Sequence, residues 1–391
     1  MEQQATFRAR LVESVAGIGR DTWDACASSD GAPYNPFLDW RFLDALERSG
    51  SIGGRSGWSP AHVILEDSAG EIAGVAPTYV KRHSQGEYVF DHAFADAYQR
   101  AGGEYYPKLQ VAAPFTPATG PRLLAAPGYG APAKGALATA LLAVRDRMEV
   151  SSVHVTFCTE EEQALLVERG YLSRVDRQFH WTNEGYGSYD DFLGDLASRK
   201  RKQLKRERRE AAEGVVIRQL TGADLTEVYW DAFFEFYMDT GARKWGRPYL
   251  NRRFFSMVGE AMPEKILLVV AEVAGKPVAG ALNFIGGDAL YGRYWGAVEE
   301  RPFLHFELCY HQAIDAAIER GLSRVEAGAQ GEHKLARGYR PVTTYSAHAF
   351  ADPGLHDAVG DYLARERRMV AMGDEALDAA TPFRKDGEHI S

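Results

Sequence analysis

Between Glu326 and Arg337 the chain reads EAGAQGEHKLAR, a short run dense in groups that move protons or hold anions. Glu326 and Glu332 are candidate proton acceptors. His333 joins them wherever its imidazole stays near neutrality. Lys334 and Arg337 can hold a carboxylate or phosphate, the arginine through a planar fork and the lysine as a point charge. Gln330 adds an amide, and backbone N–H groups of the Gly328–Gly331 turn can polarise a carbonyl. Other roles compete: an ion pair with Arg324 or Arg293 for Glu326, and a solvated helix start for Lys334 and Arg337.

Just upstream, RPFLHFELCYH holds His305, Glu307 and His311. The spacing is not His-Glu-x-x-His and no third ligand is near, so no metal site is expected. His305 and Glu307 read either as a capping histidine with an exposed glutamate, or as groups that orient a substrate or accept its proton. Trp295 and Tyr310 flank them as candidate donor or substrate contacts.

A second kind of signal is charge. Ser198–Glu210, SRKRKQLKRERRE, sums to 8 − 2 = +6 in a chain whose net charge is −9. Leu204 is its only strongly apolar side chain, so the segment cannot bury a full face of its own. Cations three and four apart repel by roughly a few tenths of a kcal/mol per pair. A phosphate-bearing ligand held by Arg199, Lys200, Arg201, Lys202, Lys205 and Arg206 would explain that cost; a solvated face and ion pairing with the acidic body are the alternatives. Phe179, Trp181 and Tyr186 lie upstream as aromatics able to stack on bases. In YYPKLQVAAPFTPATGPRLL, the residues Pro114, Pro117, Gly120 and Pro121 indicate a rigid loop rather than a buried strand. Tyr106, Lys108, Thr116 and Arg122 are acceptor contacts there, or the loop is a structural lid.

Something must position these groups, and the sequence repeats itself. AHVILEDSAGEIAGVAPTYV and LLVVAEVAGKPVAGALNFIG are both hairpin signals, with glycine in the turn and glycine after it. Each is followed by a helical pattern (around Ala136–Glu149 and Phe306–Arg320), a strand (SSVHVTFC and SRVEAGAQ) and an Arg-Gly-Tyr whose glycine suits a helix end. Two copies of one mixed α/β unit are implied: hairpin, helix, strand, helix, returning strand. Ser188 with Asp191 resembles a capping box for a helix through Phe192, Leu193 and Leu196, and Gly214 suits the stop of the basic segment. After Gly354, Leu355, Val359, Leu363 and Met369 keep helical spacing.

The totals agree. At 391 residues two domains are expected, and 45% apolar with 25% charged residues is ordinary globular composition. The N-terminus does not read as a signal peptide, and the greasiest run, Ile266–Ile285, is too interrupted to cross a bilayer. Three distant cysteines suggest neither disulfides nor zinc and fit a cytoplasmic location.

The duplicated order resembles a tandem pair of GNAT-type acyltransferase domains, and the basic helix between them resembles the Fem-like branch of N-acyltransferases. The motifs that carry the likeness are QFHWTN, SRKRKQLKRERR, YWGAVEERPFLHFELCYHQAI, EAGAQGEHKLARGY and YYPKLQVAAPFTPATGPRLL. The resemblance implies an α/β fold of two GNAT-like domains, 1–180 and 216–352, with a basic helical segment 181–215 and a C-terminal helix and tail 353–391. It implies amide formation by acyl or aminoacyl transfer to an amine, with no tightly bound cofactor. The donor would be aminoacyl-tRNA or acyl-CoA. The turn AVEERPFLHFE lacks the glycine signature of coenzyme A binders and carries Glu299 and Glu300, which favours tRNA. PGYGAP (Pro127–Pro132) brings glycines to a helix start in the first copy. Expected partners are tRNA or a nucleotide-linked precursor, with peripheral membrane contact compatible. Coenzyme A-dependent acetylation of a small amine and a non-catalytic RNA-binding protein are the competing functions.

Overall fold

The computed structural model describes residues 6–29, 31–244, 248–328, 331–379 and 382–383. Its first hairpin is β1 (His62–Glu66) with β2 (Ile72–Ala76), turned where Gly70 is left-handed. Pro77 follows. It has no N–H to give, so the ladder is interrupted and β3 (Thr78–Lys81) starts beyond it. Then come β4 (Lys108–Val111), α1 (Gly130–Arg147), β5 (Ser152–Cys158) and β6 (Leu172–Thr182). The basic stretch is α2 (Ser198–Ala211), and α3 (Glu227–Lys244) and α4 (Arg252–Ala261) follow. The second hairpin is β7 (Ile266–Val273) with β8 (Lys276–Ile285), which runs unbroken, and β9 (Ala289–Ala297) continues the meander. A helical segment, 304–319, ends in α5 (Gln312–Glu319) and leads to β10 (Arg324–Glu326). The chain closes with β11 (Arg340–Phe350) and α6 (Pro353–Ala379). Both copies thus show the expected GNAT-type order.

The local signals hold where a short-range contact decides them. Ser188 Oγ accepts from Asp191 N at 3.2 Å and caps Tyr189–Asp195. Gly170 and Gly338, of the two Arg-Gly-Tyr runs, are both left-handed, at φ 87° and 83°.

Two compact units result: Met1–Asp176 with Thr343–Ala371, and Arg177–Val342 with Met372–Ser391. These limits differ from the 1–180, 181–215, 216–352 and 353–391 expected from the repeat. The cause is that β6 and β11 each change unit part-way. His180–Thr182 of β6 pair with β10 in the second unit, and Tyr345–Phe350 of β11 pair with β5 in the first. Each repeat's returning strand therefore completes the other unit's sheet. Helix α2 belongs to the second unit, and most of α6 to the first.

In the first unit β3, β4, β5 and the end of β11 lie side by side, and β1 and β2 belong to a separate four-stranded sheet. Leu137 and Leu141, one turn apart on α1, pack in one cluster with Val63, Leu109, Val153 and Ala347. Lys108–Val111 is a fully buried strand, which corrects the expectation of a loop throughout Tyr105–Leu124. In the second unit the strand order is Val216–Leu220, β7, β8, β9, β10, β6. One sheet face packs Val269, Leu290 and Val325 against Ile314 of α5 and Leu204 of α2. On the other face α3 comes so close to β9 that a Cβ at Gly296 would stand 2.2 Å from the Phe236 carbonyl oxygen. Only glycine fits there.

Candidate active site

The second unit's sheet opens at one place. Among the described residues, parallel strands β9 and β10 pair at Ala289–Arg324, Leu290–Val325 and Tyr291–Glu326 and no further. Beyond that, Gly292–Ala297 stays with β8, while Ala327 and Gly328 turn to β6 through Ala327 N–Phe179 O (3.3 Å) and Phe179 N–Gly328 O (3.2 Å). The two strands part, and the sequence-predicted residues gather around the gap.

On the α5 face lies an aromatic and histidine group. The His305 ring is 5.1 Å from Trp295, 5.6 Å from Tyr310 and 6.3 Å from His333. His333 is exposed, and its Nε2 is 2.9 Å from the Tyr310 hydroxyl. The structure brings these four together. Glu307–His311 winds as a π-turn, a feature frequent at functional sites. That wider winding places residues five apart on one side, and Gln312 donates to Glu307 Oε1 at 2.8 Å.

Lys334 sits at the strand ends. It is buried, and its ammonium donates to the carbonyls of Ala327 (2.6 Å) and Gly328 (2.9 Å). An ammonium has three donors, and the third has no partner among the described residues. Burial pulls Lys334 down to about 8.

Side chains alternate along a strand, so Glu326 lies opposite Val325, on the other face. Arg324 Nε donates to Glu326 Oε1 at 3.0 Å, the competing ion pair. Glu326 Oε2 is buried with no hydrogen-bond partner among the described residues, and His180 Nε2 stands 3.8 Å from it. His180 Nε2 is also 3.1 Å from Gln178 Oε1, and burial lowers its pKa, which keeps the ring neutral. Gln178 and His180 were missed as site residues. Their signal was present: polar side chains at alternate positions of QFHWT, between Phe179 and Trp181, turned to one face of β6.

The basic helix meets this site through its inner side. Glu207 accepts from Arg337 at 2.7 Å. Burial would raise Glu207, but His311, Gln203 and Arg337 bring it down to about 2. Arg208 donates to Glu307 (3.1 and 3.0 Å) and to Asp315 (2.6 Å), and its guanidinium lies 4.4 Å over the Tyr189 ring. Arg199, Lys202 and Arg209 are exposed and Lys200 and Arg201 are half-buried, and none of the five pairs with a described residue. Lys205 meets Asp190 at 2.9 Å and Arg206 meets Glu210 at 3.6 Å, both in the open.

A family model described as peptidoglycan biosynthesis/recognition matches residues 14–385. The chain belongs to the FemAB-like family. That family transfers acyl and aminoacyl groups. Solved structures agree on the fold. FemX matches at a TM-score of 0.55 and 11% identity, over 90% of this chain and 100% of its own. A protein of unknown function from Bacteroides thetaiotaomicron gives 0.51 and 12%, over 88% and 100%. The C-terminal domain of a putative lysylphosphatidylglycerol synthetase from Agrobacterium fabrum gives 0.50 and 9%, over 89% and 96%. No curated protein matches by sequence.

Several expectations for this FemAB-like chain change with the geometry. Glu307 is buried and fully engaged by Arg208 and Gln312, so it anchors α2 instead of accepting a proton. Arg337 is likewise spent inside: on Glu207, on the His333 carbonyl (2.7 Å), and on the face of Phe306 at 3.4 Å. In the first unit Arg122 is fully buried, and its guanidinium donates to the carbonyls of Ala118, Gly120, Pro121 and Thr156. It pins the loop and faces no solvent. Lys108 is also fully buried, held by Glu87 at 2.7 Å and by Asp91. Tyr106 is half-buried, with its hydroxyl 2.6 Å from Ser84 Oγ. Gln330 and the Glu332 side chain lie outside the described residues.

Proposed function

We propose that this FemAB-like protein forms an amide by moving an aminoacyl group from aminoacyl-tRNA to an amine at the gap between β9 and β10. The observation that supports it most is that gap, with Lys334 at the strand ends, His305 and His333 on one face, and Glu326 and His180 on the other. In this reading the ester carbonyl lies in the gap and the remaining Lys334 N–H polarises it. The neutral amine attacks, the carbon–nitrogen bond forms and the ester carbon–oxygen bond breaks. Glu326, directly or through water, takes the amine proton, and the released ribose hydroxyl regains one. The exposed cations of α2 would hold the phosphates of the RNA, with salt-sensitive affinity. At the start of the 304–319 segment, Phe303 is the N-cap and no side chain caps it, while Glu299 engages Arg301 at 2.8 Å. Glu300 adds a further negative charge to this turn, which disfavours a diphosphate seated at this helix start.

The acceptor we favour is the amine of a cell-wall precursor or peptide. Among the described residues no helix is long and apolar enough to cross a membrane, and the three cysteines are free. We place the reaction in the cytoplasm, where charged tRNA is made. The test is transfer of a radiolabelled aminoacyl group from tRNA, against acyl-CoA as rival donor, with mass spectrometry of the product. Transfer only from acyl-CoA replaces the donor. Tight RNA binding with no covalent product from either donor refutes the enzyme.

A further inference from the structure

We propose that Lys81 and Lys108, in the first unit, form a binding site for an anionic carboxylate or phosphate group, and that the chain's own Glu87 occupies it in the conformation described. The site stands apart from the transfer chemistry. The two lysines are direct cross-strand partners on β3 and β4, and both are fully buried. Like charges facing each other across a sheet repel, and burial strengthens the repulsion. A pair of ammonium groups there is costly unless an anion sits between them.

That anion comes from the segment 82–91, RHSQGEYVFD, which folds back after β3. Glu87 Oε2 is 2.7 Å from Lys108 Nζ, and Glu87 Oε1 is 3.6 Å from Lys81 Nζ. Asp91 is the second partner of Lys108 and accepts from Tyr105 at 2.7 Å. Lys81 also donates to the Gln85 carbonyl at 2.8 Å and lies 3.8 Å over the Trp58 ring. The carboxylates fit poorly for a purely structural clamp. Glu87 Oε1 and Asp91 Oδ1 are buried without a hydrogen-bond partner among the described residues. Buried Glu162 in the same unit is a contrast: both its oxygens accept from the backbone N–H of Arg122, and Oε1 also from that of Leu123.

The segment that delivers Glu87 is strained at that point. Gly86 and Tyr88 on either side of it are left-handed, at φ 79° and 60°, a conformation that costs a tyrosine stabilising energy. Phe90 is 56% exposed. Ser84 Oγ, 3.1 Å from Lys108 Nζ, and Tyr106, bonded to it, are half-buried. One side-chain layer therefore separates the lysines from solvent. Movement of 82–91 would withdraw Glu87 and open the place between the two lysine side chains to an external anion, which would restore the charge that favours both ammonium forms.

The test is thermal unfolding of the full chain in rising inorganic phosphate at constant ionic strength, alongside phosphorus NMR line broadening, which reads binding even where a variant is less stable. The wild type is expected to respond weakly, because Glu87 competes. Glu87→Gln should bind phosphate at least about tenfold more tightly and gain a Tm that rises with the logarithm of its concentration. Adding Lys108→Met should abolish that gain. Acetate in place of phosphate distinguishes a carboxylate from a phosphate ligand. Equal phosphate binding by wild type and Glu87→Gln, or binding that survives Lys108→Met, overturns the proposal.

Discussion

Among the described residues each unit shows a parallel strand pair, and the two pairs have opposite fates. In the first, β4 and β5 pair at Leu109–Val153, Gln110–His154 and Val111–Val155. In the second, β9 and β10 pair over the same number of residues. Past that point the first unit fills the place beside β5 with its own chain. Gly120 N donates to the Phe157 carbonyl at 3.0 Å, Arg122 Nε donates to that of Thr156 at 3.0 Å, and Phe115 and Ala118 are buried. In the second unit no described strand pairs with Gly292–Ala297 on the β10 side. A duplicated topology has one copy plugged by a pinned loop, while at the other Lys334, Glu326 and His180 lie beside the point where the strands part.

The plug can be broken most severely. Arg122→Ala would strand four buried carbonyls and empty a core position, at a cost of about 3–5 kcal/mol. Urea unfolding is expected to show that loss, and a change below about 1 kcal/mol would remove Arg122 as the pin.

At the open copy, Lys334→Met should cut transfer about a hundredfold or more, with a loss of stability of about 1–3 kcal/mol because the Ala327 carbonyl loses its donor. The same role fixes a pH limb. Lys334 is charged below its pKa of about 8, so the rate should fall as pH rises through 8. An unchanged limb in the variant would exclude it. Glu326→Gln should slow turnover about ten- to a hundredfold with substrate binding retained, read as a fall in kcat at constant KM.

The smallest expected effect on stability separates the two sides of α2. Reversing Arg199, Lys202 and Arg209 to glutamate should abolish RNA retention and leave Tm nearly unchanged, since exposed charges contribute little. Arg208→Glu should instead lower Tm, as it sets a third carboxylate beside Glu307 and Asp315. Equal losses in both variants would mean that α2 has no free face.

Much of this was legible beforehand because it rests on local patterns. The hairpins follow from glycine-punctuated apolar runs, Ser188 from its capping box, and the left-handed Gly170 and Gly338 from the repeated Arg-Gly-Tyr. His305, Trp295, Tyr310, His333 and Lys334 converge because the segments carrying them border one gap. What escaped depends on distant partners. Nothing in RVDRQFHWT or RPVTTYSAHAF tells which sheet edge it will join, so the exchange of returning strands was hidden. Arg208 looks like its neighbours, yet it alone of the cations points at Glu307 and Asp315, about a hundred residues on. Lys108 reads as a surface cation until Glu87 and Asp91 are found beside it.

The central claim is that donor binds in the open pair and not in the plugged one. Hydrogen–deuterium exchange with and without aminoacyl-tRNA tests it directly. Protection is expected across 292–297, 331–338 and the outer side of 198–211, with 112–123 and 152–158 unchanged. Protection confined to 112–123 and 152–158 would contradict it and put the site in the first unit.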